Sequence, residues 1–132
     1  MFSIIIPTYH RFSQLEQCII RLKSQQYKNF EVIIVEDGGN NKEAILSISN
    51  ELDIKYLILE NKINVSTKRN IGASKAQGKY LIFLDDDDSL HQDYVKTLIE
   101  KYNKYDFVVW RMKNTDGLVI PRLNKNILVL NN

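Results

Sequence analysis

The segment KYLIFLDDDD, at residues 79–88, joins an apolar run to four consecutive carboxylates. An apolar run of this length predicts a buried strand, so the carboxylates would lie where that strand ends. Two earlier apolar runs are followed by polar residues in the same way: residues 2–6 by PTYHR at 7–11, and residues 30–35 by EDGG at 36–39. Three predicted strands therefore end in residues that can bind a ligand.

Amphipathic stretches alternate with these runs. The spacing of their apolar residues predicts helices at about residues 13–25, 44–52, 64–77 and 90–102, and further strands at about 54–59 and 106–112. Regular alternation of strand and helix predicts an α/β fold, with a mostly parallel sheet, a central first strand and helices on both faces. Ligands of such sheets bind outside the carboxyl ends of the strands. We therefore expect the three polar segments on one rim, with Asp37 and Asp87 on the same side of the sheet.

Local signals refine the predicted helices. Asn40 or Asn41 is expected to cap the second helix, and Asn64 or Ser66 the third. The inner face of the third helix is expected to contain Val65, Gly72, Ala73 and Ala76. Small residues on that face would let the helix lie close to the sheet.

The acidic run allows two interpretations. Two unit charges 4 Å apart repel by about 1 kcal/mol in water and about 4 kcal/mol at an effective dielectric of 20, and a cation relieves this repulsion. Oxygen ligands suit Mg²⁺ or Mn²⁺, which share their coordination with substrate phosphates, so the run favours a metal-bridged nucleoside diphosphate. Alternatively, Asp88 or Ser89 caps a helix that begins near Leu90. The other polar segments on the rim favour the metal.

The remaining rim residues have a binding and a structural interpretation each. Asp37 could accept a hydrogen bond from a base N–H or a ribose hydroxyl, or it could bond to its own turn. Lys68 and Arg69, in the first turns of the third helix, could face a diphosphate or belong to a solvated basic surface. Tyr9 could stack on a base or pack within its loop.

Composition restricts the class of protein. The chain has 132 residues, 44% hydrophobic and 26% charged, which suits one globular domain. Its net charge of +2, from 18 basic and 16 acidic residues, is too small for a dedicated nucleic-acid binder. One cysteine, Cys18, excludes an internal disulfide. No apolar run is long enough for a signal peptide or a transmembrane segment, so we expect a cytoplasmic protein, at most at the inner membrane surface.

The order of these motifs resembles that of family 2 glycosyltransferases. The matching segments are SIIIPTY at 3–9, QY at 26–27, FEVIIVEDG at 30–38, RNIG at 69–72, AQGKY at 76–80 and FLDDDD at 83–88. The resemblance implies a three-layer α/β/α, Rossmann-like GT-A fold of the nucleotide-diphospho-sugar transferases. It also implies inverting transfer from a nucleotide-sugar donor, usually a UDP-sugar, to an acceptor such as a glycan or a lipid-linked sugar, with Mn²⁺ or Mg²⁺ as cofactor.

The resemblance implies roles for individual residues. Residues 7–9 would line the base pocket, Asp37 would bind the base, usually uracil, and Arg69 would lie near the base or the diphosphate. In the Asp-x-Asp motif at 85–87, Asp85 would approach the ribose, and Asp87 would bind the metal with Asp85 nearby. The candidate donor-binding residues are Pro7, Thr8, Tyr9, Arg11, Glu36, Asp37, Lys68, Arg69, Asp85 and Asp86; the candidate metal ligands are Asp87 and Asp85.

Some positions depart from the family pattern. They are His10 in place of asparagine, Glu36 in place of aspartate, Gly39-Asn40-Asn41 in place of Ser-x-Asp, Asn64 in place of glycine and Lys68 in place of alanine. The resemblance divides the chain into a nucleotide-sugar-binding core, residues 1–112, and a tail, residues 113–132, that begins the acceptor side.

The catalytic residue is left unassigned. The base of this family is an Asp or Glu well beyond the Asp-x-Asp motif, and Asp116, the last acidic residue, does not align with it. We therefore expect a truncated or naturally short donor-binding half that transfers sugar poorly by itself. Two alternatives remain: a non-catalytic nucleotide-sugar-binding module, and a receiver-like signalling domain whose acidic pocket Glu36, Asp37 and Asp85 would imitate.

Overall fold

The structure is a computed structural model that describes residues 1–102, 104–106, 108, 112–113, 116–117 and 119–120. Its elements are β1 (Phe2–Tyr9), α1 (Phe12–Lys23), β2 (Phe30–Asp37), α2 (Lys42–Ile48), β3 (Asp53–Leu59), α3 (Val65–Ser74), β4 (Tyr80–Phe83), α4 (Tyr94–Tyr102), β5 (Met112–Lys113) and β6 (Val119–Ile120). The chain divides into two compact units, Met1–Val95 and Lys96–Asn132. The first unit holds β1 to β4, and the second holds the antiparallel pair of β5 and β6.

The four strands of the first unit form one parallel sheet in the order β3-β2-β1-β4. This confirms the expected parallel sheet with an interior first strand. The chain moves outward from β1 to β3 and then crosses back to β4. Because such crossovers are right-handed, α1 and α2 cover one face and α3 covers the other. The order reverses between β1 and β4, which makes their carboxyl ends the place where a ligand is expected.

β1 is longer than its apolar run because it continues through Pro7 to Tyr9. The carbonyl of Ile5 accepts a hydrogen bond from the Leu84 N–H at 3.0 Å, so the backbone N–H and carbonyl of Ile5 point towards β4. The backbone nitrogen of Pro7, two residues on, points to the same side, but the pairing of β1 with β4 ends at Phe83. The missing N–H of proline therefore costs the sheet no ladder bond.

α3 lies close to the sheet because it presents Gly72 to it. A Cβ at Gly72 would lie 2.5 Å from Cγ2 of Ile5, and Ile5 packs with Ile33 and Val35 in the core on this face. The expected close packing of α3 is therefore confirmed. Val65, however, is exposed, and Lys68 is buried in its place on the inner face.

One buried carboxylate joins the strands at their amino ends. Glu31 accepts hydrogen bonds from the Ser3 hydroxyl at 2.6 Å, from the Lys55 ammonium at 2.8 Å and from the Gln77 N–H at 2.5 Å. Burial alone would raise the pKa of Glu31, but these bonds outweigh it and lower the pKa to about 2. No local sequence pattern indicates this contact set, because its members are separated along the chain.

Two expectations for the later part of the chain are wrong. α4 begins at Tyr94 and not near Leu90, so Asp88 and Ser89 do not cap it; instead the Asp88 N–H donates to the Asp85 carbonyl in a turn. The strand expected at 106–112 is not formed at the described positions 106 and 108, and β5 begins only at Met112. Residues 107 and 109–111 lie outside the described part.

Candidate functional site

The acidic run is attached to the end of β1. The Thr8 hydroxyl donates to Oδ2 of Asp86 at 2.7 Å, and Asp86 is almost fully buried. Because Thr8 lies in β1 and Asp86 follows β4, this bond joins the two strands between which the sheet order reverses. The segments that follow the first and fourth strands therefore lie on one rim, as the sequence predicts.

Arginines from two other segments balance the acidic run. Nη1 of Arg11 donates to Oδ1 of Asp86 at 3.1 Å and to Oδ2 of Asp87 at 3.0 Å. Nη2 of Arg69, in α3, donates to Oδ1 of Asp85 at 2.5 Å. The hydrogen bond to Asp86 is the main cause that raises the pKa of Arg11. Among the described residues, three of the four carboxylates thus have a cationic partner, which reduces their mutual repulsion.

The fourth carboxylate, Asp88, differs from these three. Burial, followed by the charges of Asp85 and Asp87, raises its pKa above the usual 3.8. Beside it an open cleft of about 310 Å³ runs along α1, lined by Ser13, Gln14, Gln17, Cys18, Arg21, Asp86, Asp87 and Asp88. Burial raises the pKa of the Cys18 thiol to about 12, so this cysteine is a packing residue and not a nucleophile.

Asp37 and Lys68 form a buried ion pair at the end of β2. Nζ of Lys68 donates to Oδ1 of Asp37 and, at 3.0 Å, to the carbonyl of Thr8. The other oxygen of Asp37 accepts the Ile63 N–H at 2.7 Å. Burial alone would raise the pKa of Asp37, but the bonds from Lys68 and Ile63 outweigh it and lower the pKa. This pair brings the ends of β1, β2 and α3 to the same rim.

Tyr9 lies over the Asp37 end of the rim. Nζ of Lys62 is 4.4 Å from the centre of the Tyr9 ring, and the His10 ring packs edge-on against it. Gly38 has φ +70°, and a Cβ there would lie 2.6 Å from Cε2 of Tyr9. Glycine at 38 therefore provides both the turn and the space that Tyr9 occupies.

Glu36 faces the opposite side of the sheet from Asp37. Its carboxylate, 0% exposed, accepts hydrogen bonds from the Tyr56 hydroxyl at 2.8 Å, from the Asn41 N–H at 3.0 Å and from the Asn41 side-chain amide. Burial and the bond to Glu36 raise the pKa of Tyr56. Asn41 precedes α2 but makes no side-chain cap, because its amide binds Glu36. Asn64, by contrast, caps α3 by accepting the Thr67 N–H at 2.8 Å.

The carboxylate oxygens of the acidic run are ligands that suit a hard divalent cation. Within the described residues no group of three or more His, Cys, Asp or Glu side chains is placed to hold a metal ion. Mg²⁺, however, is commonly held by one or two carboxylates together with substrate phosphates. Asp85 and Asp87 can supply those carboxylates, because their side chains are 46% and 56% exposed.

Comparison with known proteins identifies the family. Residues 3–131 match the family described as Glycosyl transferase family 2. The chain belongs to this family. It is 34% identical over 105 residues to glycosyltransferase GlyA of Streptococcus pneumoniae, a match that covers 78% of this chain and 15% of GlyA. It is 33% identical over 106 residues to the GalNAc(5)-diNAcBac-PP-undecaprenol beta-1,3-glucosyltransferase of Campylobacter jejuni, covering 77% of this chain and 34% of that enzyme.

Solved structures of glycosyltransferases have the same fold. The crystal structure of S. aureus TarS 1-349 in complex with UDP-GlcNAc superposes with a TM-score of 0.68 at 27% identity, over 74% of this chain and 30% of that one. The mannosyltransferase PcManGT from Pyrobaculum calidifontis, in complex with GDP-Man and Mn²⁺, gives a TM-score of 0.68 at 16% identity, over 79% of this chain and 33% of that one. The predicted Rossmann-like GT-A fold is thereby confirmed. No helix in the described part of the chain is long and apolar enough to cross a membrane.

Proposed function

We propose that this chain binds a nucleoside diphosphate sugar on the rim of the sheet and forms the donor half of an inverting glycosyltransferase. The observation that supports this most is the convergence of the ends of β1, β2 and β4 with the start of α3, joined by the Thr8–Asp86 and Lys68–Asp37 contacts. A uridine donor is supported by the TarS relative, whose structure contains UDP-GlcNAc. We therefore propose a UDP-sugar donor.

The rim residues have complementary roles in this proposal. The ring of Tyr9 stacks on the base, and the cations of Lys68 and Arg69, near the amino end of α3, favour the negative charge of the diphosphate. Asp85 and Asp87 would hold Mg²⁺ or Mn²⁺, which neutralises charge on the leaving diphosphate. Arg11, paired with two carboxylates in the free chain, is close enough to the same charges to contribute to donor binding.

The acceptor side of the reaction is also a proposal. The chain spans 15% of GlyA and 34% of the Campylobacter enzyme. The name of the latter includes an undecaprenol-linked acceptor, which supports a glycan or lipid-linked acceptor here and a cytoplasmic chain that acts at the inner membrane surface. We propose that a carboxylate outside the rim deprotonates the acceptor hydroxyl, a contribution of about 10²–10⁴-fold in rate. The isolated chain is then expected to bind donor and to transfer sugar poorly.

Calorimetric titration with UDP in the presence of Mn²⁺ tests donor binding. We expect saturable binding by the wild-type chain, and loss of its dependence on Mn²⁺ in Asp87→Ala. The matched control is Asp53→Ala, because Asp53 is an exposed aspartate at the start of β3, away from the rim. Equal Mn²⁺ dependence in the wild type and in Asp87→Ala would contradict the metal assignment. No binding of any nucleoside diphosphate would contradict the proposed function.

The second candidate function is a non-catalytic nucleotide-sugar-binding module, because the same rim would bind the nucleotide sugar in either case. Release of UDP from a UDP-sugar, measured with and without added glycan or lipid-linked acceptors, distinguishes the two. Release that depends on an acceptor supports the enzyme, whereas binding without release supports the module. A receiver-like domain is disfavoured, because the carboxylate of Asp37 is enclosed and paired with Lys68 and is not available as a phosphoacceptor.

A further inference from the structure

Gln25 is a buried amide, just after the end of α1, that binds a distant segment of the chain. It is 2% exposed. Its Nε2 donates to the carbonyl of His91 at 2.7 Å, and its Oε1 accepts the N–H of Val95 at 3.3 Å. Beside it, the N–H of Gln26 donates to the carbonyl of Gln92 at 3.0 Å. These three hydrogen bonds, termed the Gln25 clamp, hold the segment that follows the acidic run against the loop that follows α1.

The Gln25 clamp accounts for the start of α4. The first N–H groups of a helix have no partner within the helix and are satisfied by side chains or by water. Val95 lies in the first turn of α4, so Gln25 does for this helix, from 70 positions away, what an adjacent cap residue usually does. Removal of the amide would leave buried backbone groups without a partner, which is costly. The clamp therefore fixes the segment at a defined place.

Asp87 lies between the Gln25 clamp and the hydrogen bond that attaches the acidic run to β1. On its upstream side, the Thr8 hydroxyl donates to Asp86 at 2.7 Å. On its downstream side, only residues 88–90 separate it from His91, the first residue that the clamp holds. The side chain of Asp87 is 56% exposed, and β4 ends before the acidic run. The position of this carboxylate therefore depends on a short stretch of backbone that is anchored at both ends.

We propose that Gln25 is a positioning residue for the metal-bound donor and acts by holding the backbone that carries Asp87. The inference rests on the proposed function above, in which Asp87 binds Mg²⁺ or Mn²⁺ together with the diphosphate. Ligands of such a site must lie within about 0.5 Å of their productive positions. Without the clamp the downstream anchor is lost, so the metal-dependent part of donor binding decreases. Donor contacts from β1 and α3 do not depend on this segment and are retained.

Titrations of UDP in Mn²⁺ and in EDTA separate the metal-dependent part of binding from the rest. Gln25→Met removes both hydrogen-bonding groups but keeps a flexible side chain of similar length. We expect it to weaken UDP binding in Mn²⁺ by about three- to tenfold, the size of one hydrogen bond, and to leave binding in EDTA unchanged. Gln26→Ala is the matched control and should change neither constant, because Gln26 is exposed and its backbone N–H is retained.

A merely structural role for Gln25 would lower stability without changing the ratio of the two dissociation constants. Glu31→Gln provides the comparison, because it removes buried hydrogen bonds at the amino end of the sheet. Both variants should lower the urea midpoint, but only Gln25→Met should change the ratio. A ratio that is unchanged in Gln25→Met, or that changes equally in both variants, would overturn the proposal and leave the proposed function intact. If the wild-type chain binds no nucleoside diphosphate, the proposed function fails and the inference fails with it.

Hydrogen exchange in the wild-type chain keeps the proposal testable if Gln25→Met does not fold. Coupling between two sites is reciprocal, so a clamp that favours metal binding is itself favoured by the metal. The amides of Val95 and Gln26 should therefore exchange about three- to tenfold more slowly in UDP with Mn²⁺ than in UDP with EDTA. The amide of Gly78, at the amino end of the sheet, reports any change common to the whole fold. A change at the clamp no larger than that at Gly78 would overturn the proposal.

Discussion

The two ends of the four-stranded sheet use carboxylates in different ways. At the amino end, Glu31 of β2 is fully buried, and its hydrogen bonds come from residues of two other strands and from the Gln77 and Gly78 backbone. At the carboxyl end, Asp85 and Asp87 are half exposed and are paired with arginine side chains. The first arrangement stabilises the fold and leaves no capacity for a ligand. The second keeps charged oxygens accessible to solvent, as the proposed metal site requires.

Glu36 and Asp37 repeat this contrast within one strand. They are neighbours at the end of β2, and because successive side chains of a strand point to opposite faces, they belong to different contact sets. Glu36 joins β2 to Tyr56 of β3 and to Asn41, as Glu31 joins strands at the other end. Asp37 faces α3 and belongs to the rim through Lys68. A carboxylate at the carboxyl end of a strand therefore does not necessarily belong to the rim.

The largest expected effect on stability comes from removing Glu31, the carboxylate at the amino end of the sheet. Glu31→Ala would leave Lys55 and the Ser3, Gln77 and Gly78 donors without their buried partner, so we expect a loss of about 3–5 kcal/mol in the free energy of unfolding. Urea denaturation followed by circular dichroism measures this loss. Glu51→Ala is the matched control, because Glu51 forms an exposed pair with Lys28 and its removal should leave the urea midpoint unchanged.

The same carboxylate predicts a dependence of stability on pH. The folded chain holds the pKa of Glu31 at about 2, below the unfolded value of about 4.5, so its stabilisation is complete above pH 4.5 and is lost as the pH falls towards 2. In Glu31→Gln this contribution is absent. The difference in unfolding free energy between wild type and variant should shrink by about 3 kcal/mol between pH 6 and pH 2. A difference that stays constant over urea titrations in this range would contradict the prediction.

A smaller effect is expected at the contact that places α3 over the sheet. Gly72→Ala adds a Cβ that would lie 2.5 Å from the Ile5 side chain, so the helix or Ile5 must shift. Overpacking of this kind costs about 1–3 kcal/mol, and the shift would move Lys68 and Arg69 relative to the rim. Unfolding free energy and UDP affinity should both fall. The comparison variant is Ser74→Ala, because Ser74 is exposed on the same helix and should change neither.

The fold could be predicted from the sequence because its signals are local. Apolar runs and helical spacing indicated β1 to β4 and α1 to α3, and Asn64 indicated the amino end of α3. The start of α4 could not be predicted, because the apolar spacing from Leu90 onward continues into a segment that forms turns up to Asp93. The roles of the site residues remain predictions, although the rim on which they lie was correctly predicted.

The pairing of charges across the rim could not be predicted from the sequence. Lys68 follows Asp37 by 31 residues, and Asp86 follows Arg11 by 75, so no local pattern joins them. A lysine in the first turns of a helix is usually solvated, and only the position of α3 over β1 and β2 makes it a buried partner. The departure of Lys68 from the family's alanine was the one available signal.

The smallest expected effect concerns Arg11, which pairs with Asp86 and Asp87 at the carboxyl end. Arg11 is half exposed, but its partner Asp86 is buried and loses its cationic partner, so Arg11→Ala should lower the unfolding midpoint, by less than Glu31→Ala does. If Asp87 holds the metal ion as proposed, the guanidinium competes with that ion for the carboxylate in the absence of nucleotide. The variant should therefore bind Mn²⁺ about two- to fivefold more tightly in a titration followed by electron paramagnetic resonance. Lys28→Ala removes the same charge away from the rim and should leave Mn²⁺ binding unchanged. Weaker or equal Mn²⁺ binding in Arg11→Ala would show that Arg11 does not compete for this carboxylate.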